Sequence, residues 1–579
     1  MCNTKENEQQ LFTAFKIKIT KKRFSDNMNN SISSVMASKG SAYTENGAIS
    51  YASTGKELVD QFGKAASYRG RDISVVFDDQ ARLWAENPDA ALKFPFYLRL
   101  ITREAKMSDG TKTEKVQRGA GAKDEAFKRF IWILKNHPDM FYRNLYLIPV
   151  VGSWKDIWQI LCYAEDANVK VDKSKFFEVV AEGIASDSQV DLVKKYLPRI
   201  RSTKKCKTDW ANRTNKYAKE FVEWADKQLD GKFTAESYRH MKASGEAHDF
   251  QKVICSRRYD ELNFKTIPGK ALLNLVSGDF LKNHSIYNKY VEWIKSQPVA
   301  KFNGYPYELG HKLGYNGRWG SPKVDIATKI TIDKQFENLV LTGKKNGGAI
   351  TGNVWCALDT SGSMNSTIPG SDVTALDVCK SLGIYFSTLN EGAFYKNVIM
   401  FDSTSRVKQL SGSFSEMWDQ IPYDAMGSTN FQSVVDEIVR IREKNPNIPL
   451  SDYPKTLLVV SDMQFNPSNS WGWTRATRQE ELSNIEAVKA KLLGVFPKEF
   501  VDEFKFIWWN VTSRRTEDMP STLDDQSSYF FSGFDGAVIS FLLGGDAEIV
   551  DDKTGVKRMP TAEELVQIAL SQEVISLVR

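Results

Sequence analysis

The 579-residue sequence lacks the patterns that would assign it to several common function classes. Its six cysteines, Cys2, Cys162, Cys206, Cys255, Cys356 and Cys379, form no Cys-x-x-Cys pair and have no histidine at zinc-finger spacing. That speaks against a zinc finger and a disulfide framework, and leaves reduced thiols used mainly as core filler. The five histidines, His137, His240, His248, His284 and His311, show no metalloprotease spacing, and no glycine-rich loop ending in Gly-Lys-Ser/Thr is present to cradle a nucleotide. No apolar run reaches the roughly 18 residues of a membrane span, and the N-terminal MCNTKENEQQLF is too polar for a signal peptide. The expectation is a soluble cytoplasmic protein without a membrane partner.

What is present is enough apolar material for large cores: 41% hydrophobic and 12% aromatic residues in a chain long enough for two or more domains. The net charge of +6 is unevenly spread. Residues 191–345 hold 30 Lys and Arg against 17 Asp and Glu, whereas residues 346–579 are acidic by 11 charges. Between them lies the glycine-rich LTGKKNGGAITGN, a candidate junction. The expected division is a polar, serine-rich arm over 1–60, a helical domain over 61–345 and an α/β domain over 346–579.

The helical expectation rests on periodicity. In DEAFKRFIWILKNHPDMF, Phe127, Phe130, Ile131 and Leu134 follow the i, i+3, i+4, i+7 spacing, and Pro138 suits the first turn of a following helix. SWKDIWQILCYA opens on a Ser153 cap, and NRTNKYAKEFVEWADKQL and YNKYVEWIKS each put aromatics on one face. Short helices joined by short turns predict antiparallel pairs stacked as a HEAT-like all-α solenoid or ring. Beyond the junction the period changes. NVWCALD, NVIMFDS, KTLLVVSDM and EFKFIWWNV read as buried parallel strands, with helices expected over 373–389, 431–443 and 478–493. This alternation predicts a doubly wound α/β (Rossmann-like) domain whose ligands bind at the carboxyl ends of its strands.

Three segments fall at such ends. CALDTSGSMN supplies Asp359, Ser361 and Ser363, AMGSTNFQ supplies Thr429, and VVSDMQF supplies Asp462. Together they form an all-oxygen set suited to a hard cation, Mg²⁺ or Mn²⁺, with the alternating Asp, Ser and Ser expected on one side of an extended loop. Because most ligands would be neutral hydroxyls, the ion would keep a position open for an outside carboxylate. The competing reading is that these residues cap helices.

The spacing of Asp359, Ser361 and Ser363 with distant Thr429 and Asp462 resembles the metal-ion-dependent adhesion site of von Willebrand factor type A domains. The two-part plan is similar to that of the Ro ribonucleoprotein autoantigen (TROVE) family. It is closer to a family of uncharacterised plant, fungal and viral proteins through IPVVGSWKDIWQIL, KKYLPRIRS, TIPGKALLN and SDMQF. The first resemblance implies a Mg²⁺-dependent type A domain that docks an acidic protein partner, and the second implies capture of RNA, its ends or small structured forms, by a basic helical ring.

The residues themselves add a basic stretch. Lys194, Lys195, Arg199, Arg201, Lys204, Lys205, Lys207, Arg213, Lys216 and Lys219 lie close together with Trp210 and Tyr217 interleaved, a pattern of phosphate contacts and stacking rings. Arg257, Arg258, Arg318 and Lys323 would extend it, and a plain solvated face is the alternative. Asp359 follows an apolar strand as in haloacid-dehalogenase phosphotransferases, but the second acid of that motif is here Ser361, so no enzyme is expected. The leading expectation is an RNA-binding protein with a metal-dependent docking site. The alternative is an assembly protein that binds protein partners through the metal alone.

Overall fold

The apolar runs after residue 353 are short and uninterrupted because the strands they form are covered on both faces. In the computed structural model, which describes residues 42–43, 49–50, 53–65, 68, 70–101, 103–107, 109–201, 208–245, 249–314, 324–345, 353–369, 371–423, 427–465, 484–512, 527–533, 549–550, 557–558 and 560–579, they build one six-stranded mixed sheet. Its strands are β1 (Val354–Asp359), β2 (Asn397–Phe401), β3 (Ser405–Gln409), β4 (Thr456–Ser461), β5 (Lys505–Asn510) and β6 (Ser528–Ser532), in the order β3-β2-β1-β4-β5-β6. All neighbours are parallel except β3, which pairs antiparallel with β2. Side chains alternate between two apolar layers: Trp355, Ala357, Phe506 and Trp508 face one, and Cys356, Leu358, Ile507 and Trp509 the other.

Four strands match the sequence expectation, and β3 and β6 were missed. β3, SRVKQ, is a half-exposed edge strand and carries too little apolar signal to be read as a strand. The four strands read from the sequence as parallel do pair in parallel, and the antiparallel β3 at the edge makes the sheet mixed.

The first part of the chain is helical. Among its helices are α1 (Glu57–Gly63), α2 (Ile73–Glu86), α3 (Pro88–Arg99), α4 (Lys123–Asn136), α5 (Trp154–Asp166), α6 (Lys173–Ala185), α7 (Val190–Tyr196), α8 (Asp209–Gln228), α9 (Ala235–Ala243), α10 (Pro306–Leu313) and α11 (Ile326–Lys345). Phe127, Phe130, Ile131 and Leu134 of α4 are all buried, as their spacing predicts. Ser153 and Asp156 close a reciprocal capping box on α5. Most of the expected polar arm over 1–60 lies outside the described residues. At its end, Asp60 in α1 is buried and accepts the Thr54 amide at 2.7 Å.

The helical part meets the sheet part at both ends. One contact is made by α10 and α11 against α12 (Ala375–Leu389) and α13 (Phe414–Asp419). Asp333 of α11 accepts the Ser415 amide at 2.7 Å and its hydroxyl at 3.0 Å, and the Trp418 indole donates to the Gly314 carbonyl at 3.1 Å. The other contact is the C-terminal segment, where α14 (Ala562–Leu570) packs on α1 and α3. Gln572 exchanges two bonds with the Arg118 backbone, at 2.6 and 2.7 Å, and the Arg579 amide donates to Asn144 at 2.8 Å. One apolar core therefore runs from Leu58 to Val578 through both parts. Among the described residues no helix is long and apolar enough to cross a membrane.

Candidate functional site

β1 and β4 lie side by side at the centre of the sheet, with the connections from β1 and β4 leaving toward opposite edges. Their carboxyl ends form the crevice where a doubly wound sheet binds ligands. Asp359 ends β1 and is fully buried. One of its carboxylate oxygens accepts the Ser361 amide at 2.9 Å and the other the Ser461 hydroxyl at 2.5 Å. Asp462 follows β4, also buried, and the next residue, Met463, takes a left-handed φ of 64°, which turns the chain sharply after the carboxylate. Burial first, and then the charge of Asp462, raise the pKa of Asp359.

The hydroxyls gather around this pair. Ser361 Oγ lies 3.4 Å from Ser363 Oγ and 3.3 Å from Thr429 Oγ1. The loop is not extended as expected. Ser363 sits in a 3₁₀ turn over Gly362–Asn365, so a turn rather than strand alternation brings its oxygen round. Ser361 stands at the head of that turn without making a side-chain cap, which leaves its hydroxyl toward Thr429. Hydroxyl pairs normally bond at about 2.7–2.8 Å. At 3.3 and 3.4 Å these are long hydroxyl contacts that leave the oxygens grouped without tight pairing. Asp359, Ser361, Ser363, Thr429 and Asp462 are thus a donor set that could hold a hard cation. Among the described residues no three His, Cys, Asp or Glu side chains gather in this way, so a metal held here would rest on hydroxyls as well as carboxylates.

Asp402, at the end of β2, escaped the sequence reading. It is buried, its carboxylate accepts from Thr404 and Arg406, and its carbonyl accepts the Asn430 amide at 2.8 Å, fixing the loop that carries Thr429. The signal was the aspartate following the apolar NVIMF run, as Asp359 and Asp462 follow theirs.

The basic residues divide. Lys195, Arg199 and Arg201 line a recess of about 590 Å³ between α7, the segment after it, and α9. Two more cations on α9, Arg239 and Lys242, complete it; they stand one helical turn apart in SYRHMKA, some forty residues beyond the stretch first singled out. Lys194 contributes its carbonyl, which accepts the Lys242 ammonium at 3.0 Å. Burial, together with Arg199 and Lys195, lowers the Lys242 pKa to about 8. None of the described lining residues is acidic.

Arg213 and Lys216 do not join this recess. Arg213 is paired with Asp166 at 2.6 Å and Asp209 at 2.8 Å, and Lys216 with Glu165 at 3.0 Å. Tyr217, expected as a stacking ring, is buried with its hydroxyl on Glu165 at 2.8 Å, because the apolar face of α8 needs it for the core. Arg257 and Arg258 are exposed beyond the recess, Arg258 paired with Glu261 at 2.9 Å. Lys204, Lys205, Lys207, Arg318 and Lys323 lie outside the described residues.

Fold and site together define a two-part protein: a helical part with a basic recess, and a doubly wound mixed sheet with an oxygen cluster at its central strand ends. The sequence profile of a domain of unknown function, DUF2828, matches residues 44–265, and that of another, DUF7788, matches residues 354–574. The chain is 22% identical over 539 residues to an uncharacterized protein, L728, of Acanthamoeba polyphaga mimivirus, covering 87% of this chain and 85% of that one. A likeness to the crystal structure of the Deinococcus radiodurans RO (RSR) protein has a TM-score of 0.40 at 13% identity, covering 85% of this chain and 94% of the other.

Proposed function

We propose that the protein binds RNA through the helical part and acts as a binding protein rather than an enzyme. The observation that carries this is the recess itself, where Lys195, Arg199, Arg201, Arg239 and Lys242 converge with no acidic residue among the described lining. Phosphates are the abundant anions that such a surface meets on RNA, and each contact releases counterions. The test is fluorescence anisotropy of a single-stranded RNA over a range of salt. Wild type is expected to lose affinity steeply, with a slope of about 0.7 per phosphate contact, and the double substitution Arg199→Ala, Arg201→Ala to flatten that slope by about 1.4. Unchanged affinity and slope in that variant would refute the assignment.

A second site is favoured by the oxygen cluster. We read the sheet part as a type A domain on the helical solenoid, its strand order and the convergence of Asp359, Ser361, Ser363, Thr429 and Asp462 supporting that reading. Mg²⁺ or Mn²⁺ held there would present a coordination position to the carboxylate of an acidic protein partner. Asp359 and Asp462 would supply charge, and the three hydroxyls would fix the geometry. Isothermal titration with Mg²⁺ tests it, and heat that is identical in Asp359→Asn and wild type counts against it.

A further inference from the structure

Five cationic side chains converge on one small recess, and from this we infer that its ligand is a compact oligophosphate: three linked phosphates, at the 5′ end of an RNA or on a free nucleotide. The inference rests on the RNA reading of the same recess and narrows it. A sphere of 590 Å³ is only about 10 Å across, within the usual range for small-molecule sites. Five cationic side chains border it, and among the described residues Arg199, Arg201, Arg239 and Lys242 form no ion pair. Burial first, and then the charges of Arg199 and Lys195, lower the pKa of Lys242, and an anion placed among these side chains would offset the repulsion between them.

Hydrogen bonds and close packing tie together the backbone that frames the recess. The Lys242 ammonium is anchored on the carbonyls of Lys194 and Lys195 at the end of α7, and the Tyr238 hydroxyl donates to the Pro198 carbonyl at 2.7 Å. A Cβ on Gly245 would come within 2.9 Å of the Lys194 and Lys195 backbone, so the segment after α9 sits directly against α7. The Lys242 ammonium is therefore held in place before a ligand arrives, with the exposed arginines bordering the recess around it.

The ligand class follows from matching charge to volume. A phosphodiester brings one negative charge and a phosphate monoester close to two. A terminal triphosphate brings roughly four charges on three adjacent phosphorus atoms, the densest match to five cations in so small a space. Three of the five are arginines, whose planar forks each pair two oxygens of one phosphate.

The test uses the full chain in chelator, which keeps the oxygen cluster of the sheet out of the measurement. Calorimetric titration compares inorganic phosphate, tripolyphosphate and ATP, and anisotropy compares one RNA sequence carrying a 5′-triphosphate or a 5′-hydroxyl. Tripolyphosphate is expected to bind at least about tenfold tighter than inorganic phosphate, and the triphosphate RNA to exceed the hydroxyl RNA by a similar factor. Arg199→Ala and Arg239→Ala, both exposed and so compatible with an unchanged fold by circular dichroism, should each weaken triphosphate binding by about tenfold. ATP binding as tightly as the triphosphate RNA identifies a free nucleotide as sufficient; RNA binding far tighter identifies the RNA end, and both support the inference. Equal binding of the two RNAs, lost equally in the arginine variants, overturns the oligophosphate inference and leaves RNA binding standing. Tripolyphosphate bound with neither RNA bound overturns RNA binding and leaves the recess an oligophosphate site. No binding of any of these probes overturns both.

Discussion

Asp359→Asn removes a charge from the centre of the sheet while keeping the shape of the side chain, and it should move stability and metal binding in opposite directions. The carboxylate is fully buried, its two oxygens held by the Ser361 amide at 2.9 Å and the Ser461 hydroxyl at 2.5 Å. An asparagine can keep both contacts, its oxygen accepting from Ser361 and its amide donating to the Ser461 oxygen. What it loses is the charge that burial and Asp462 disfavour. A carboxyl whose folded pKa lies above its unfolded value holds more protons when folded, so the metal-free protein loses stability as pH rises from the unfolded pKa through the folded one. A buried ionised carboxylate costs several kcal/mol even after relaxation, and recovering on the order of 2 kcal/mol of this would raise the melting temperature by about 4–8 °C for a unit of 150–250 residues. The assay is thermal denaturation from pH 4 to 8 in chelator. The gain should be full at pH 7.5 and shrink toward pH 4, where wild type is protonated as well. Magnesium reverses the order: ligand at a hundred times its Kd stabilises wild type by about 2.7 kcal/mol and the variant not at all. A variant less stable than wild type in chelator refutes the burial argument, and one that keeps the magnesium-dependent stabilisation refutes the metal assignment.

Thr429→Val deletes one oxygen of the cluster at constant volume. Mg²⁺ affinity measured by calorimetry should fall about tenfold while folding stability changes by no more than about 1 kcal/mol. Gly383 of α12 lies so close to the sheet that a Cβ there would stand 2.4 Å from both terminal carbons of Leu358, the residue before Asp359. Gly383→Val should therefore cost about 1–3 kcal/mol in urea denaturation and displace the cluster enough to weaken Mg²⁺ binding. His311 joins α10 to the start of α12, with Asp377 on one ring nitrogen and Asp372 on the other, each at 3.2 Å; the Asp377 bond is the main cause that raises its pKa. The stabilisation is full below the ordinary histidine pKa of about 6.5 and is lost as pH rises through the higher folded value, so His311→Gln should flatten the pH dependence of stability in that window. An unaltered pH profile would show that the pair of aspartates leaves the histidine neutral.

Local patterns carried a large share of this protein. Periodicity located α4 and its buried face, Ser153 marked the start of α5, and four apolar runs identified the four central strands of the sheet. Their limits follow from burial. The strand pattern is strongest where both faces are covered, and it fades at the half-exposed edge formed by β3. Tyr217 illustrates the converse, since composition marks an aromatic beside cations but cannot tell a ring turned toward solvent from one turned into the core.

By itself the sequence determined which residue types stand at the strand ends and that the two halves carry opposite charge, because these are properties of composition and of short-range spacing. The tertiary structure decided which of those charges act together. Arg239 and Lys242 reach Arg199 only because α9 folds back on α7, while Arg213 and Lys216, neighbours in sequence, are drawn off by the acids of α5 and α8. It decided likewise that Ser363 approaches Ser361 through a 3₁₀ turn and that Asp402 steadies the Thr429 loop. Coulomb and hydrogen-bond energies depend on distance through space, and in a chain of 579 residues that distance is set by packing rather than by position along the backbone.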